Sequence, residues 1–221
     1  MEVQKLHFRF LLWLCFLLGS PFLGHGQGGE LLIQQYRRGP ALNSNYSKFA
    51  LSIGPQVNRI NTPLSSTSPT ISFGANLTLE YRISKTVGLV SGIGYTPIKY
   101  NYQYEDNPAK DALTYFSFPL LIRLNPTERV SINLGGHYSF FYSGYRLVET
   151  ETNTLKTPYE KGIFKNNLGG IIQVGYHFLG AFYGYVNYRW ARRTSPPLQQ
   201  QTNDTSGFQV GVEFTFWKSK P

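Results

Sequence analysis

Between residues 71 and 84 the chain alternates without a break. Ile71, Phe73, Ala75, Leu77, Leu79, Tyr81 and Ile83 share one face of an extended segment, and Ser72, Gly74, Asn76, Thr78, Glu80, Arg82 and Ser84 share the other. Successive side chains of a strand point to opposite sides. Seven consecutive apolar/polar pairs therefore describe a strand longer than is usual in soluble sheets. Such a strand suits a segment with one face to hydrocarbon and one to a polar lumen.

The same period recurs along the chain. Phe49, Leu51, Ile53 and Val57 oppose Ser52, Gly54, Gln56 and Asn58; Val87, Leu89, Ile93 and Tyr95 oppose Gly88, Gly92 and Gly94. Phe116, Phe118, Leu120 and Ile122 oppose Tyr115, Ser117, Leu121 and Arg123; Val130, Ile132, Leu134, Tyr138 and Phe140 oppose Ser131, Asn133, His137 and Ser139. Leu168, Ile172, Val174 and Tyr176, then Phe182, Val186, Tyr188 and Trp190, then Phe208, Val210, Val212, Phe214 and Phe216 complete eight strands. Short turns are expected at 84–86, 125–129 and 179–180, and long polar loops at 59–70, 99–112, 144–162 and 191–206. The pattern predicts an all-β, eight-stranded antiparallel transmembrane β-barrel of outer-membrane type, with short periplasmic turns and long external loops. A soluble barrel would reverse the polarity of the two faces. The narrow lumen favours glycine inside and large residues outside. Tyr81, Phe178, Phe182, Phe214 and Phe216 would form a periplasmic aromatic girdle, and Tyr95, Phe116, Tyr142, Trp190 and Phe208 an external one.

A barrel of this kind must be exported. Residues 1–26 read as a signal peptide: Lys5 and Arg9 precede the apolar run 11–18, and Gly24-His25-Gly26 supplies small residues before Gln27. The run is too short for a spanning helix, which needs ~20 residues. Cys15 lacks the small preceding residue of a lipobox, so the expected mature chain carries no thiol. Residues 27–46 read as a flexible leader, with a helical turn left open at 31–36; 47–217 form the barrel and 218–221 a short tail. Export argues against nucleic acid as the partner of a chain with net charge +9. Outer-membrane lipid and lipopolysaccharide phosphates are the expected partners.

Glu80, Arg82, Arg123 and Glu213 fall on inward faces and are expected to pair as a lumen network. Arg189, Arg192 and Arg193 cluster at an outer strand end, where they could contact lipopolysaccharide. His137 and Ser139 share a face, with Glu149 and Glu151 downstream, as in lipid A deacylases. That chemistry needs the pair on the lipid side, whereas the register turns it inward, so no catalytic residue is assigned. The other two histidines outside this pair's strand, apart from His177, lie in the signal peptide, and neither a metal nor a cofactor is expected.

The segment Gln209-Val210-Gly211-Val212-Glu213-Phe214-Thr215-Phe216 resembles the C-terminal signal read by the barrel-assembly machinery, with Gln209, Gly211, Phe214 and Phe216 as its marked positions. Tyr115-Phe116-Ser117-Phe118-Pro119-Leu120-Leu121-Ile122-Arg123, Asn133-Leu134-Gly135-Gly136 and Tyr188-Arg189-Trp190 resemble the PorT-like outer-membrane β-barrel proteins of Bacteroidetes. That family's namesake is linked to a protein secretion system. The resemblance covers about residues 49 to 216 and implies location in the cell outer membrane, with secretion-system components among possible partners. The expected function is non-enzymatic: structural, adhesive or secretion-accessory, through the external loops. The alternatives are a narrow channel for small solutes and a lipid A-modifying acyl hydrolase using His137 and Ser139.

Overall fold

The computed structural model describes residues 46–63, 66–150, 153–160, 162–193 and 204–220. The expected signal peptide, the leader up to residue 45, Glu151 and most of the last loop lie outside them. Ten strands follow in order: β1 (Phe49–Asn61), β2 (Ser68–Thr70), β3 (Ser72–Arg82), β4 (Val87–Tyr104), β5 (Asn107–Leu124), β6 (Val130–Glu149), β7 (Thr154–Pro158), β8 (Asn167–Phe178), β9 (Phe182–Arg193) and β10 (Thr205–Lys218).

Eight of them close into an antiparallel ring, β1-β3-β4-β5-β6-β8-β9-β10, and β10 returns to β1. Closure pairs the backbone groups that an open sheet leaves bare at its edges. The short β2 and β7 extend the pairing of β4 and β6 beyond the ring. At one end the connections are short; in the tightest, Leu179 and Gly180 both adopt left-handed backbone (φ 55° and 64°). At the other end the strands run on into long hairpins.

Around the ring, Ile53, Leu77, Ile93, Leu120, Val174, Val186 and Val210 project outward and are exposed. Asn58, Ser131, Asn133, Asn167 and Gln209 project inward and are buried. The outside is thus an apolar belt around a polar interior. Tyr81, Phe178, Phe182, Phe214 and Phe216 rim the belt at the turn end, and Tyr95, Tyr142, Trp190 and Phe208 rim it at the hairpin end.

Three features depart from expectation. The segment 99–112 is not a loop: β4 and β5 continue as a ladder from Lys99↔Ala112 to Tyr104↔Asn107, turned by Glu105 and Asp106 (φ 48° and 63°). Paired left-handed residues give the turn whose twist matches the strands. Likewise β6 runs to Glu149 and takes β7 as its partner. Second, the tail is not outside the barrel. Trp217 and Lys218 pair with Leu51 and Ala50, and the Ser219 amide donates to the Phe49 carbonyl at 2.9 Å. Third, large residues also point inward. Tyr183 and Tyr185 fill the lumen because Gly175 and Gly211 make room: a Cβ on either glycine would collide with the facing ring.

Candidate functional site: a filled lumen and an external platform

At the turn end a funnel of about 650 Å³ opens between the strand ends, lined by Arg82, Arg129, His177 and Lys218. Its floor is a charged layer. Glu80, inward on β3, accepts from Arg82 Nε at 2.8 Å and from Arg123 Nη1 of β5 at 2.7 Å. Arg123 Nε donates to Asn133 Oδ1 of β6 (3.1 Å), and the guanidinium lies 4.7 Å from the centre of the Tyr183 ring. Tyr183 in turn joins Ser131 (2.7 Å), Asn133 and Gln173 (both 3.2 Å) through its hydroxyl. Side chains from β3, β5, β6, β8 and β9 thereby meet across the bore. Glu213 stands apart from these pairs: its carboxylate accepts from Asn76 Nδ2 and from Thr78 Oγ1 (3.1 Å). The structure therefore joins three of the four expected network residues in ion pairs and gives the fourth neutral partners.

Above this layer lies a cavity of about 50 Å³, bordered by Gln56, Gln173, Asn187 and Arg189. Towards the hairpin end the bore is stopped by apolar side chains. Ile60, Ile98, Leu113 and Tyr115 pack with Ile163 and Phe164, which the chain returning from β7 lays over the opening. Phe164 sits 5.5 Å from Phe141 and edge-on to Tyr159 at 4.8 Å. Burying an Ile or Phe side chain stabilises by ~1.5–3 kcal/mol, so the stopper is held by its own packing.

Beyond the belt, the β4–β5 hairpin and β6–β7 form a platform organised around Asp111. Its carboxylate accepts from the hydroxyls of Tyr100 (2.9 Å), Tyr102 (2.9 Å) and Tyr159 (2.7 Å) and lies 3.7 Å from Arg146 Nε. Arg146 also stacks 4.3 Å from the Tyr104 ring centre. Burial, reinforced by the neighbouring Asp111 charge, pushes the Tyr102 hydroxyl up to about 12 and raises those of Tyr100 and Tyr159 further. The hub was missed in the sequence because its members come from two separate stretches, 99–112 and 144–162, both read as loop.

The remaining sequence candidates fall as follows. His137 and Ser139 are both buried in the lumen. Ser139 shares a hydrogen bond with Ser117 (2.9 Å) and accepts from Arg189 (3.0 Å), and no carboxylate orients His137. Arg192 and Arg193 are exposed at the end of β9, whereas Arg189 is buried inside the barrel and separated from them. It cannot reach lipid outside, which corrects its inclusion in that cluster. Gln209 donates to Asn58 Oδ1 (2.7 Å), Gly211 accommodates Tyr185, and Phe214 and Phe216 face outward. Among the described residues no group of His, Cys, Asp and Glu has the makings of a metal site.

The chain is an antiparallel β-barrel of eight ring strands with an apolar exterior and a largely polar, side-chain-filled interior. No protein-family model and no curated protein sequence matches it. Among solved structures it is similar to Ail, the attachment invasion locus protein of Yersinia pestis (TM-score 0.44, 13% identity, 77% of this chain and 99% of that one). It is also similar to Neisserial surface protein A (TM-score 0.44, 15% identity, 78% and 100%) and to the outer membrane enzyme PagL (TM-score 0.40, 10% identity, 74% and 98%).

Proposed function

We propose that this protein is a non-enzymatic component of a bacterial outer membrane, closed to solutes, that works outside the cell through the platform of β4, β5, β6 and β7. The observation that carries this reading is the contrast between bore and platform. The bore is interrupted by the Glu80–Arg123–Tyr183 layer and by the Ile163–Phe164 stopper. The strands beyond the belt, by contrast, are ordered by a buried hydrogen-bonded hub. An apolar belt between aromatic rims suits hydrocarbon flanked by two interfaces. The short turns then lie in the periplasm, and Arg192 and Arg193 lie at the level of lipopolysaccharide phosphates. Phe214 and Phe216 remain the proposed contacts for the barrel-assembly machinery. The PorT-like segments favour a secretion-accessory role over a purely structural one.

The test has two arms. In planar bilayers the purified protein is expected to give no stepwise conductance; reproducible steps would favour the channel. In cells, replacing 101–110 by Asn-Gly shortens the β4–β5 hairpin while leaving the belt intact. This variant is expected to reach the membrane at normal yield and to reproduce the phenotype of a complete gene deletion. Wild-type behaviour would show that the platform is not the working part.

A further inference from the structure

The two ends of the barrel differ in charge. Inside, the buried charges cancel, Arg123 and Arg189 against Glu80 and Glu213. Beyond them at the turn end stand Lys48, Arg82, Lys85, Arg129, Lys218 and Lys220, and among the described residues the one exposed carboxylate there is Glu128. At the hairpin end Glu105, Asp106, Asp111, Glu149 and Glu160 are interspersed among the cations.

The turn-end cations gather round the funnel rather than along the lipid. Arg82, Arg129 and Lys218 line its 650 Å³, and Lys85 lines an adjoining recess of about 280 Å³ that shares Arg82, Glu128 and His177 with it. They come from the β3–β4 turn, the β5–β6 turn and the end of β10, so they are spread round the mouth rather than aimed at one point. Little neutralises them. Arg82 shares Glu80 with Arg123. Arg129 donates to the Tyr176 hydroxyl (3.4 Å) and Lys218 to the Gly180 carbonyl (3.5 Å). None of the three ion pairs among the described residues includes Lys85, Arg129 or Lys218.

A second feature lies on the same lip. Leu179 lines the funnel, is 83% exposed and holds left-handed backbone (φ 55°). Such a turn favours Asn, Asp or Gly, and water disfavours an uncovered leucine. Neither turn geometry nor solvation explains leucine at this position, whereas an apolar contact from a guest does.

Size and charge together choose the guest. A space of this order is that of a ligand site, roughly 300–1,000 Å³, and is too large for a single phosphate. Separated cations suit a chain that carries several anions. A wholly anionic chain such as polyphosphate would leave Leu179 uncovered, and lipid headgroups lie outside the ring while these side chains line its mouth.

We infer that the funnel docks an extended acidic peptide segment, with apolar residues among its carboxylates, from a second protein. Carboxylates meet Lys85, Arg129 and Lys218, and an apolar side chain covers Leu179. Exposed pairs are individually weak, so the contact is fast to form and sensitive to salt. That the second protein is periplasmic rests on the orientation proposed above; the docking itself does not.

The probe is the peptide Glu-Glu-Leu-Glu-Glu-Phe carrying a neutral fluorophore, with a counterpart that has lysine for glutamate. Both are titrated by anisotropy against the mature protein folded in non-ionic detergent. The acidic peptide is expected to bind saturably and the lysine peptide not at all. Lys85→Glu, Arg129→Glu and Lys218→Glu should each weaken binding by about tenfold, and salt at about 1 M should weaken it further. Leu179→Asn suits the left-handed turn, so it should weaken binding without lowering the melting temperature. Arg59→Glu, an exposed reversal at the hairpin end, should leave binding unchanged. Heat-modifiable gel migration shows which variants are folded, and if one rim variant is not, the other two decide. No saturable binding, equal binding of the lysine peptide, equal loss in Arg59→Glu, or binding of tripolyphosphate in place of the peptide overturns the inference. Labelling of Lys85→Cys in intact cells reads the orientation separately: access from outside would overturn the orientation and not the docking.

Discussion

Replacing Arg123 by Met should cost more than any single change on the barrel's exterior short of inserting a charge. The substitution keeps the length of the side chain and removes its guanidinium. Glu80 then loses the 2.7 Å contact on its buried side and retains Arg82, whose side chain is 26% exposed at the funnel. Removing one partner of a buried pair costs ~3–5 kcal/mol. An exposed pair returns only ~0–1 kcal/mol, so Arg82 offsets little, and Asn133 Oδ1 loses its donor as well. The expected loss is therefore ~3 kcal/mol or more. Urea unfolding in detergent micelles, followed by tryptophan fluorescence, measures it. Adding Glu80→Gln should restore part of the loss, because the carboxylate left unpaired is most of the penalty. A coupling of ~1–3 kcal/mol between the two positions is expected. A loss below ~1 kcal/mol for Arg123→Met, the scale of a solvated pair, would refute the idea that this layer is a dry seal.

Leu77→Arg, outward between Ile53 and Ile93, should destabilise by ~2–4 kcal/mol in a bilayer, whereas Gln103→Arg on the hairpin should be close to neutral; equal tolerance would mean the faces are misassigned. The platform should loosen in alkali. Tyr102 ionises at about 12 when folded against 10.0 unfolded, so its contribution is whole below pH 10 and is lost as pH rises towards 12; ultraviolet titration of tyrosine should show Tyr102→Phe removing a late-ionising group. Deleting 217–221 should impair closure, because the pairs to Leu51 and Ala50 and the Ser219 contacts go with it; heat-modifiable gel migration unchanged from wild type would contradict this. Phe214→Ala with Phe216→Ala should lower assembled yield in cells while leaving the inserted fraction normal, and full yield would mean these rings are not read during assembly.

The belt was legible because hydrocarbon demands apolar side chains at every second position. Leu77, Leu79 and Tyr81 could not be polar without cost, so the period survives in the sequence. Past the belt that demand ends. Lys99, Asn101 and Gln103 face water on β4, while Ile98, Tyr100 and Tyr102 turn inward. The period of two persists but its polarity is inverted, and the stretch reads as polar loop. Asp111 gave no signal of its own; only the fold brings Tyr100, Tyr102, Arg146 and Tyr159 to it. Arg189 was misread by adjacency: next to Trp190 and near Arg192 and Arg193 it looked like part of a basic cluster. Alternation sends it the other way, to Ser117 and Ser139.

The most direct test of the account is a depth-and-side scan of β3. Cys15 is the only cysteine in the sequence, and it falls in the expected signal peptide. Single cysteines placed at 73 to 79 in the mature protein can therefore each carry one fluorophore in lipid vesicles. Lipids bearing a quencher on the acyl chain should quench probes at Phe73, Ala75, Leu77 and Leu79 strongly and probes at Gly74, Asn76 and Thr78 weakly, with the maximum at mid-strand. Uniform quenching, or strong quenching at Asn76 and Thr78 instead, would contradict a barrel that turns its apolar belt to the membrane and seals its polar face inside.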